Sequence, residues 1–414
     1  MLPVTCPQPC KEPLRAQLPA VKSPQCHCGP VICSLAIISE ELAGGEEVHM
    51  NEAVLLIGTS KGVVVARSDR SRQSWELEPI QLMMSSVYGL GIDRRRATPR
   101  LFAGATSEHW GPSLFHSDDL GRSWIEPEAA PVAFPAESGV ALIRIWQVVA
   151  GMESQPDLVY AGVEPHALFR SQDGGVTFNL VEGLFNHPHR PQWEPGGGGA
   201  CLHTIIPHPT DPDRLLVALS AGGVYRTADG GKSWEPANHG IRAYFMPEDQ
   251  QFPEFGQCVH KVGTHPSRPE RLLAQNHFGV YRSDNYGDSW DVIEDGLPAN
   301  FGFPLLVHPH QPETVYLFPL KADSERLPPD RRCRVYRSRD AGSSWEPLVQ
   351  GLPQSDYHAI VLRDALCSDS GDPAGIYFGT RDGEVYQSLD DGDSWQLVAS
   401  HLPDVLAVRA ALVA

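Results

Sequence analysis

Three histidines are well placed for chemistry, because they occupy similar positions in three of the repeated units of the chain. His203 lies in "CLHTIIPHP", His260 in "CVHKVGTHP" and His358 in "YHAIVLRD". Imidazoles that point at one axis could hold a transition metal such as zinc and leave a coordination position open. In the alternative interpretation, each histidine bonds to a nearby backbone carbonyl and fills its own strand.

Other side chains near these positions suit a planar polar ligand or a sugar. Arg144 lies two residues before Trp146 on an apolar strand, so both should face the same side and could contact an anion. Mixed aromatic, imidazole and guanidinium groups are common in small-molecule sites. The further candidates for ligand binding are Trp193, Arg242, Tyr244 and His277.

Glycosidase chemistry would require two carboxylates across a cleft, either about 5 Å or about 6.5–9.5 Å apart. The candidates are Glu194, Glu248, Asp249 and Glu254. No motif distinguishes any of them, so the sequence leaves open whether the protein is an enzyme.

The elements that must position these residues are defined by a recurring octapeptide. Its six copies follow the pattern Ser/Thr-x-Asp/Asn-x-Gly-x-Ser/Thr-Trp/Phe: "SDDLGRSW", "SQDGGVTF", "TADGGKSW", "SDNYGDSW", "SRDAGSSW" and "SLDDGDSW". A seventh, "SDRSRQSW", keeps the serines and the tryptophan but has Arg70 and Arg72 at the positions of the acid and the glycine. The final aromatic residues are 49 to 56 residues apart, a period typical of a propeller or a solenoid.

Each octapeptide follows an apolar strand such as "GVYR" and precedes a short polar one, which predicts a hairpin turn between them. With two more apolar runs upstream, each unit has four strands, called A to D from the axis outward. The sequence therefore predicts an all-β, seven-bladed β-propeller over residues 50–414, with the octapeptides between strands C and D. The first unit lacks strand A, and we expect the C-terminal run "DVLAVRAALVA" to supply it and close the ring.

The octapeptide resembles the Asp-box, or BNR, repeat of sialidases, xyloglucanases, sortilin-type receptors and photosystem assembly factors. The chain is thus similar to a bacterial-type member of the sialidase-like, sortilin-like and YVTN-type propellers. This resemblance implies that the acidic residues of the boxes shape turns and face away from the functional site. A sialidase function is not expected, because "IRIW" lacks the proline of the family's Arg-Ile-Pro phrase.

Loop lengths indicate which end of the propeller carries function. The long irregular segments are 183–200 and 238–257 between strands D and A, and 104–113 and 320–332 between strands B and C. Both kinds of connection lie on the face opposite the octapeptides, and long loops in a compact fold are often functional.

Composition limits the partners and the compartment. A formal charge of −18 argues against nucleic acid, and no apolar run is long enough to indicate a membrane span. Residues 1–49 carry five of the nine cysteines, and we expect them to be a disordered extension or a start-site artefact, with a small zinc site as the alternative. The remaining cysteines fall in different units and favour reduced thiols in the cytoplasm.

These observations favour a binding protein that recognises a small molecule or glycan at the channel mouth. The first alternative is a glycoside hydrolase-like enzyme, or a metal-dependent hydrolase that uses the histidine cluster. The second alternative is a protein assembly factor, for which we expect an apolar patch on the loop face.

Overall fold

The computed structural model describes residues 52–413, which are almost entirely β-strands and turns. The strands are β1 Glu52–Thr59, β2 Gly62–Asp69, β3 Glu76–Leu77, β4 Ser85–Asp93, β5 Arg100–Ser107, β6 Gly111–Ser117, β7 Arg144–Ala150, β8 Val159–Glu164, β9 Ala167–Ser171, β10 Asn179–Leu180, β11 Leu202–Pro207, β12 Leu215–Leu219, β13 Gly223–Thr227, β14 Glu235–Pro236, β15 Val259–His265, β16 Arg268–Asn276, β17 Val280–Ser283, β18 Asp291–Val292, β19 Phe301–Val307, β20 Val315–Leu320, β21 Val335–Ser338, β22 Glu346–Leu348, β23 Leu366–Ser368, β24 Ile376–Gly379, β25 Val385–Ser388, β26 Gln396–Ala399 and β27 Val405–Val413.

Helical structure is limited to short turns in the loops. There is one α-helical turn, α1 Glu182–Phe185, and there are 3₁₀ turns at Ala136–Ser138, Arg190–Gln192, Glu248–Gln250 and Pro329–Arg331. Between residues 52 and 413, no helix has both the length and the apolar character that a bilayer span requires.

The strands form seven antiparallel sheets, which are the blades of a β-propeller. Six sheets have four strands, and the second blade, β4 to β6, has three and continues only as a single bridge between His116 and Ile125. The innermost strands contact their neighbours around the whole ring, in the order β27, β4, β7, β11, β15, β19, β23 and back to β27. The predicted seven-bladed, all-β fold is confirmed.

The C-terminal strand closes the ring as the sequence predicts. Strand β27 pairs antiparallel with β1 from Glu52 opposite Val413 to Thr59 opposite Val405, and so becomes the inner strand of the first blade. Its side chains at Val405, Ala407 and Val408 are fully buried. The pairing covers the edge of β1, which would otherwise be open to association with another chain.

Neighbouring blades pack closely, and their apolar faces supply the core. A side chain on Gly162 of β8 would place its Cβ 2.5 Å from the carbonyl oxygen of Leu202 in the next blade. Tyr225, Tyr281 and Phe169 are essentially inaccessible to solvent between blades. Glycine at such a position lets strands of neighbouring blades approach to a distance that alanine would prevent.

The octapeptide turns satisfy their own polar groups. In the fourth blade, Asp229 accepts hydrogen bonds from the backbone N–H of Lys232 at 2.9 Å and of Ser233 at 3.0 Å, and from the Ser233 hydroxyl at 2.6 Å. The Thr227 hydroxyl donates to Asp229 at 2.7 Å and accepts from the N–H of Gly231 at 3.0 Å. Each of the six octapeptides joins the third and fourth strands of its blade, apart from the second blade, where the single bridge replaces the fourth strand.

The seventh, divergent octapeptide contributes to the contact between the first and last blades. Arg72 adopts the left-handed conformation, with φ 55, and its guanidinium pairs with buried Asp369 at 2.9 Å. The indole of Trp75 donates to Gln387 at 2.7 Å, and the Gln387 amide donates to the Arg72 carbonyl at 2.8 Å. We call this set of contacts, Arg72, Trp75, Asp369 and Gln387, the clasp.

One strand assignment is wrong. The segment "YHAIVLRD" was expected to form the inner strand of the last blade, but β23 begins only at Leu366. The preceding segment is held by Asp364, whose carbonyl accepts from the N–H of Val408 at 2.8 Å and whose carboxylate pairs with Lys261 at 2.8 Å. These contacts replace the strand-to-strand hydrogen bonds that the hydrophobic pattern predicted for this segment. The cysteine-rich extension, residues 1–49, lies outside the described residues.

Candidate ligand-binding site at the channel mouth

A cavity of about 300 Å³ opens at the centre of the face opposite the octapeptides. Its wall is built from the starts of inner strands and from connections between strands D and A or between strands B and C. The lining residues are Tyr88, Arg144, Trp146, Gly196, Gly197, Gly198, Ser220, Cys258, His260, His277, Phe301, Phe303, Arg326, Leu362, Arg363, Asp364, Arg381 and Leu406. No octapeptide residue is among them, so the predicted separation of the turns from this cavity is observed.

On one side of the cavity, Arg144 stacks on two aromatic rings. Its guanidinium carbon lies 4.4 Å from the centre of the Tyr88 ring and 5.1 Å from that of Trp146. Glu164 accepts a hydrogen bond from the Trp146 indole at 3.0 Å and lies 3.6 Å from Arg144. The predicted pair, Arg144 and Trp146, therefore lines the cavity, but the charge of Arg144 is already balanced by Glu164.

Arg363 is a buried cationic group of the wall that lacks such a balance. Arg363 is 8% exposed, and no carboxylate oxygen of the described residues lies within 4.0 Å of its guanidinium nitrogens. The guanidinium contacts the sulfur of Cys201 at 3.3 Å and lies 5.2 Å from the centre of the Trp146 ring, while its Nε has no hydrogen-bond partner. A buried guanidinium without a balancing carboxylate favours an anion beside it.

Two more arginines reach the cavity. Arg326 stacks near the Phe303 ring at 5.6 Å and donates from Nε to the Asp323 carbonyl at 3.1 Å. Arg381 is paired with Asp404 on its outer side. Although the whole chain carries a formal charge of −18, this wall holds four arginines and one carboxylate.

That carboxylate, Asp364, is not free to act as an acid or base. It accepts hydrogen bonds from Lys261 at 2.8 Å and from Arg409 at 2.5 Å. Burial opposes its ionisation, but the charges of Lys261 and Arg409 outweigh burial and hold the pKa of Asp364 below its usual range. Asp364 therefore remains a permanently ionised structural anion.

Opposite Arg144, two histidines and a cysteine form a cluster. The ligand atoms of Cys258, His260 and His277 all lie within 4.8 Å of one another, and no other group of this kind occurs in residues 52–413. The His260 ring stacks on Phe303 at 5.0 Å. Burial, followed by the charge of Arg363, holds the pKa of His260 well below 6.5, so this imidazole is neutral at pH 7.

The expected triad of His203, His260 and His358 does not form. His203 is fully buried within the sheet, where one ring nitrogen bonds to the Val259 carbonyl at 2.9 Å and the other to the Thr204 hydroxyl at 3.0 Å. His358 is exposed and lies away from the cavity wall, because the inner strand of its blade starts later than expected. The alternative interpretation, a histidine satisfied by a local carbonyl, is therefore correct for His203.

The remaining predicted ligand-binding residues divide between the cavity and its surroundings. His277 lines the cavity, whereas Trp193 is buried and donates to the Tyr225 hydroxyl at 2.9 Å. Arg242 stacks on Tyr244 at 4.1 Å and donates to Gln251 at 2.5 Å, outside the wall. The candidate carboxylates Glu194, Glu248, Asp249 and Glu254 are all exposed, and none lines the cavity.

The loop formed by residues 238–257 carries exposed apolar side chains. Tyr244 is 40% exposed, Phe245 is 57% and Phe252 is 65% exposed. These aromatic groups are the kind of feature expected for the protein-assembly alternative, which stays a prediction.

Several residues of the wall were not found from the sequence. Cys258 was interpreted as a core thiol, although it lies only two residues before His260 and the structure brings the two side chains together. Arg363 gives no local signal, because its lack of a partner depends on residues from distant blades. Arg326 lies in a long loop between strands B and C that was singled out, but no pattern distinguishes it from the neighbouring arginines.

A wider groove, about 750 Å³, lies on the octapeptide side between the third and fourth blades. Arg170, Glu182, Asp213 and Lys232 are among its lining residues, and it has no aromatic ring. The carboxylate of Asp229, also on its wall, is used by its own turn. The groove therefore offers less for recognition than the channel mouth.

No protein-family model matches the chain. Among curated proteins, it is 26% identical over 196 residues to a probable oligoxyloglucan-reducing end-specific xyloglucanase of Neosartorya fischeri, covering 46% of this chain and 20% of that protein. It is 26% identical over 216 residues to the oligoxyloglucan-reducing end-specific xyloglucanase of Emericella nidulans, covering 49% and 24%. It is 23% identical over 240 residues to xyloglucanase Xgh74A of Acetivibrio thermocellus, covering 49% and 26%. The matched part is about a quarter or less of each relative.

One solved structure with a TM-score above 0.5 has the same fold. An ancestral GH74 enzyme superposes with a TM-score of 0.51 at 15% identity, over 76% of this chain and 38% of that one. YCF48 bound to D1 peptide has a TM-score of 0.47 at 14% identity, over 79% and 85%. At these identities, the likeness to the GH74 enzyme concerns the propeller fold alone.

Proposed function

We propose that the cavity at the channel mouth binds a small molecule or a short glycan that carries an anionic group. The observation that supports this proposal most directly is Arg363, a buried guanidinium on the cavity wall with no carboxylate partner among the described residues. An anion from the ligand would supply that partner and form charge-assisted hydrogen bonds.

The rest of the wall suits the uncharged part of such a ligand. Tyr88, Trp146 and Phe303 present ring surfaces around the cavity, and the wall glycines 196–198 leave room for a ligand close to the backbone. Aromatic faces beside a few oriented polar groups are typical of sites for sugars and planar molecules. The similarity to xyloglucanases, whose names describe glycan substrates, adds support for a glycan.

A calorimetric titration would test this proposal. Neutral xyloglucan oligosaccharides, oligosaccharides that contain uronic acid, and simple carboxylates would be compared at low ionic strength. We expect the acidic sugars to bind more tightly than the neutral ones. Arg363→Met should weaken their binding at least about tenfold, because it removes a charged hydrogen-bond donor from a desolvated site.

Arg122→Met is the matched control, since Arg122 is 58% exposed on the octapeptide face. This variant should bind like the wild type. Equal affinity for neutral and acidic sugars, or unchanged binding by Arg363→Met, would contradict the proposal.

A glycoside hydrolase is the second candidate function, and the sequence similarity to xyloglucanases favours it. The wall supplies only Asp364, which is tied to Lys261 and Arg409. A catalytic pair would therefore have to come from loop residues such as Glu194 and Glu254, which lie outside the cavity. Release of reducing ends from xyloglucan, abolished by Glu194→Gln or Glu254→Gln, would establish this alternative.

A further inference from the structure

We propose that Cys258, His260 and His277 form a transition-metal site on the cavity wall, with Zn²⁺ as the reference ion. This set differs from the histidine triad expected from the sequence, and it does not depend on the proposed anionic ligand. The soft sulfur and the two imidazoles are ligands that zinc and other late first-row metals prefer.

The backbone of the fifth blade brings the three residues to one place. Cys258 immediately precedes β15, and His260 is two residues further on, where the pairing of β15 with β16 shifts register between Val259 and Lys261. His277 follows β16, and its N–H donates to the Cys258 carbonyl at 2.8 Å. One antiparallel pair of strands therefore carries all three groups at its channel-mouth end.

Hydrogen bonds leave one nitrogen of each histidine ring available for a metal. Nδ1 of His260 lies 2.6 Å from the Gly302 carbonyl, which can only accept, so Nδ1 carries the proton and Nε2 keeps its lone pair. Nε2 of His277 lies 3.2 Å from a carboxylate oxygen of Asp323, which leaves Nδ1 of His277 with its lone pair. Carbonyl or carboxylate partners of this kind orient most metal-binding histidines.

The distances are close to those of a tetrahedral site. Typical zinc–sulfur and zinc–nitrogen bonds at a tetrahedral angle place the sulfur and the nitrogen about 3.6 Å apart. Sγ of Cys258 lies 3.6 Å from Nε2 of His260. All three ligand atoms lie within 4.8 Å of one another, so no separation would have to shorten by much more than about 1 Å, a movement that the partly exposed His277 in its turn could make.

The charges also balance in an acceptable way. Metal binding would displace the proton of the Cys258 thiol to water and leave a thiolate. The thiolate cancels one of the two charges of the ion. Three protein ligands leave the fourth position directed at the cavity, where Arg326 and Arg363 favour an anionic or water-derived ligand.

Cobalt substitution provides a test with a spectroscopic readout. The full chain would be reduced, treated with a chelator and titrated with Co²⁺ under anaerobic conditions. We expect a thiolate-to-cobalt charge-transfer band in the near-ultraviolet, tetrahedral d–d bands in the visible, and displacement of both by Zn²⁺. Cys258→Ser should abolish the charge-transfer band, and His277→Gln should weaken Co²⁺ binding more than tenfold.

Two controls separate this site from other thiols. Cys201→Ser, a buried thiol near the same cavity, should keep the band. A variant in which Cys6, Cys10, Cys26, Cys28 and Cys33 are all serine should also keep it, because these residues belong to the N-terminal extension.

The proposal is overturned if the wild type shows no band, if the band is lost in the N-terminal variant, or if Cys258→Ser leaves it unchanged. Circular dichroism would check that Cys258→Ser folds. If that variant does not fold, unaltered Co²⁺ affinity in a folded His277→Gln would overturn the proposal instead. Cobalt binding without binding of acidic sugars would support this inference and contradict the proposed function. Binding of acidic sugars without the cobalt bands would do the reverse.

Discussion

On the octapeptide face, charged side chains such as Asp229 and Arg72 are paired within their own turn or with a neighbouring blade. At the channel mouth, by contrast, Arg363 is buried without a carboxylate partner. Asp229 accepts hydrogen bonds from four donors of its own turn, and Arg72 pairs with Asp369 across the clasp. This difference indicates that the charges of one face stabilise the ring, whereas the other face has a charged group that is free to bind a ligand. Substitutions on the two faces should therefore affect different properties.

The largest effect should come from breaking the clasp on the octapeptide face. Arg72→Ala leaves buried Asp369 without its cation, and loss of one partner of a buried ion pair costs about 3–5 kcal/mol in the free energy of unfolding. Urea denaturation would measure this loss. Arg94→Ala is the control, because Arg94 is exposed and contacts only the nearby Ser370 hydroxyl at 2.6 Å. A loss below about 1 kcal/mol for Arg72→Ala would contradict the role given to the clasp.

A smaller loss of stability should follow from removing one turn carboxylate. Asp229→Ala should lower the free energy of unfolding by about 1–2 kcal/mol, since several donors of the turn lose their acceptor. Asp229→Asn should cost less, because the fifth blade already has Asn285, which accepts from Ser289 N–H at 3.0 Å. Binding at the channel mouth should be the same in both variants. Equal losses for Ala and Asn would show that side-chain hydrogen bonds do not hold the turn.

Acid should weaken the turns in a predictable pH range. Although burial opposes ionisation of Asp173, hydrogen bonds from Thr177 and its neighbours lower the pKa to about 2 from 3.8. A lowered folded-state pKa gives stability that is present above pH 4 and is lost as the pH falls towards 2. Asp173→Asn should therefore be less stable than the wild type at pH 7, with the difference vanishing near pH 2. Chemical denaturation at several pH values would measure it, and a difference independent of pH would be inconsistent with this account.

The smallest change in stability should come from Arg363→Met at the channel mouth. Because no carboxylate balances Arg363, its loss should change the free energy of unfolding by less than about 1 kcal/mol, in the stabilising direction. Arg100→Met is the matched control, since Arg100 has the same 8% exposure but pairs with Asp118 at 2.6 Å on the octapeptide side. This control should be clearly destabilised. Similar losses for both variants would remove the contrast between the two faces.

The turns and blade order were accessible from the sequence because their determinants are local. An octapeptide such as 227–234 contains the acceptor, the hydroxyls and the glycine that its turn needs. Trp146 and His260 could be placed at the channel mouth for a related reason, since they keep a constant position at the start of an inner strand. The same reasoning failed for His358, where Asp364 and its cationic partners delay the start of β23.

The chemistry of the cavity was harder to predict from the sequence. It depends on a missing carboxylate partner and on contacts between residues that are far apart in the chain. Cys258 looks like any buried thiol until the pairing of β15 with β16 brings it beside His277. The lack of a carboxylate partner for buried Arg363 can be inferred only by surveying the carboxylates of all seven blades. Local pattern thus predicts which end of the propeller carries the site, but not which atoms are available there.

Strand β27 gives the fold a particular order of assembly. We expect blade one to be completed last, because its inner strand comes from the far end of the sequence and the edge of β1 has no partner until β27 pairs with it. Such late, long-range closure makes folding slow and favours chain-to-chain exchange of the final strand at high concentration. Dilute refolding, or help from a chaperone that shields this edge, should accordingly improve the yield of the native ring.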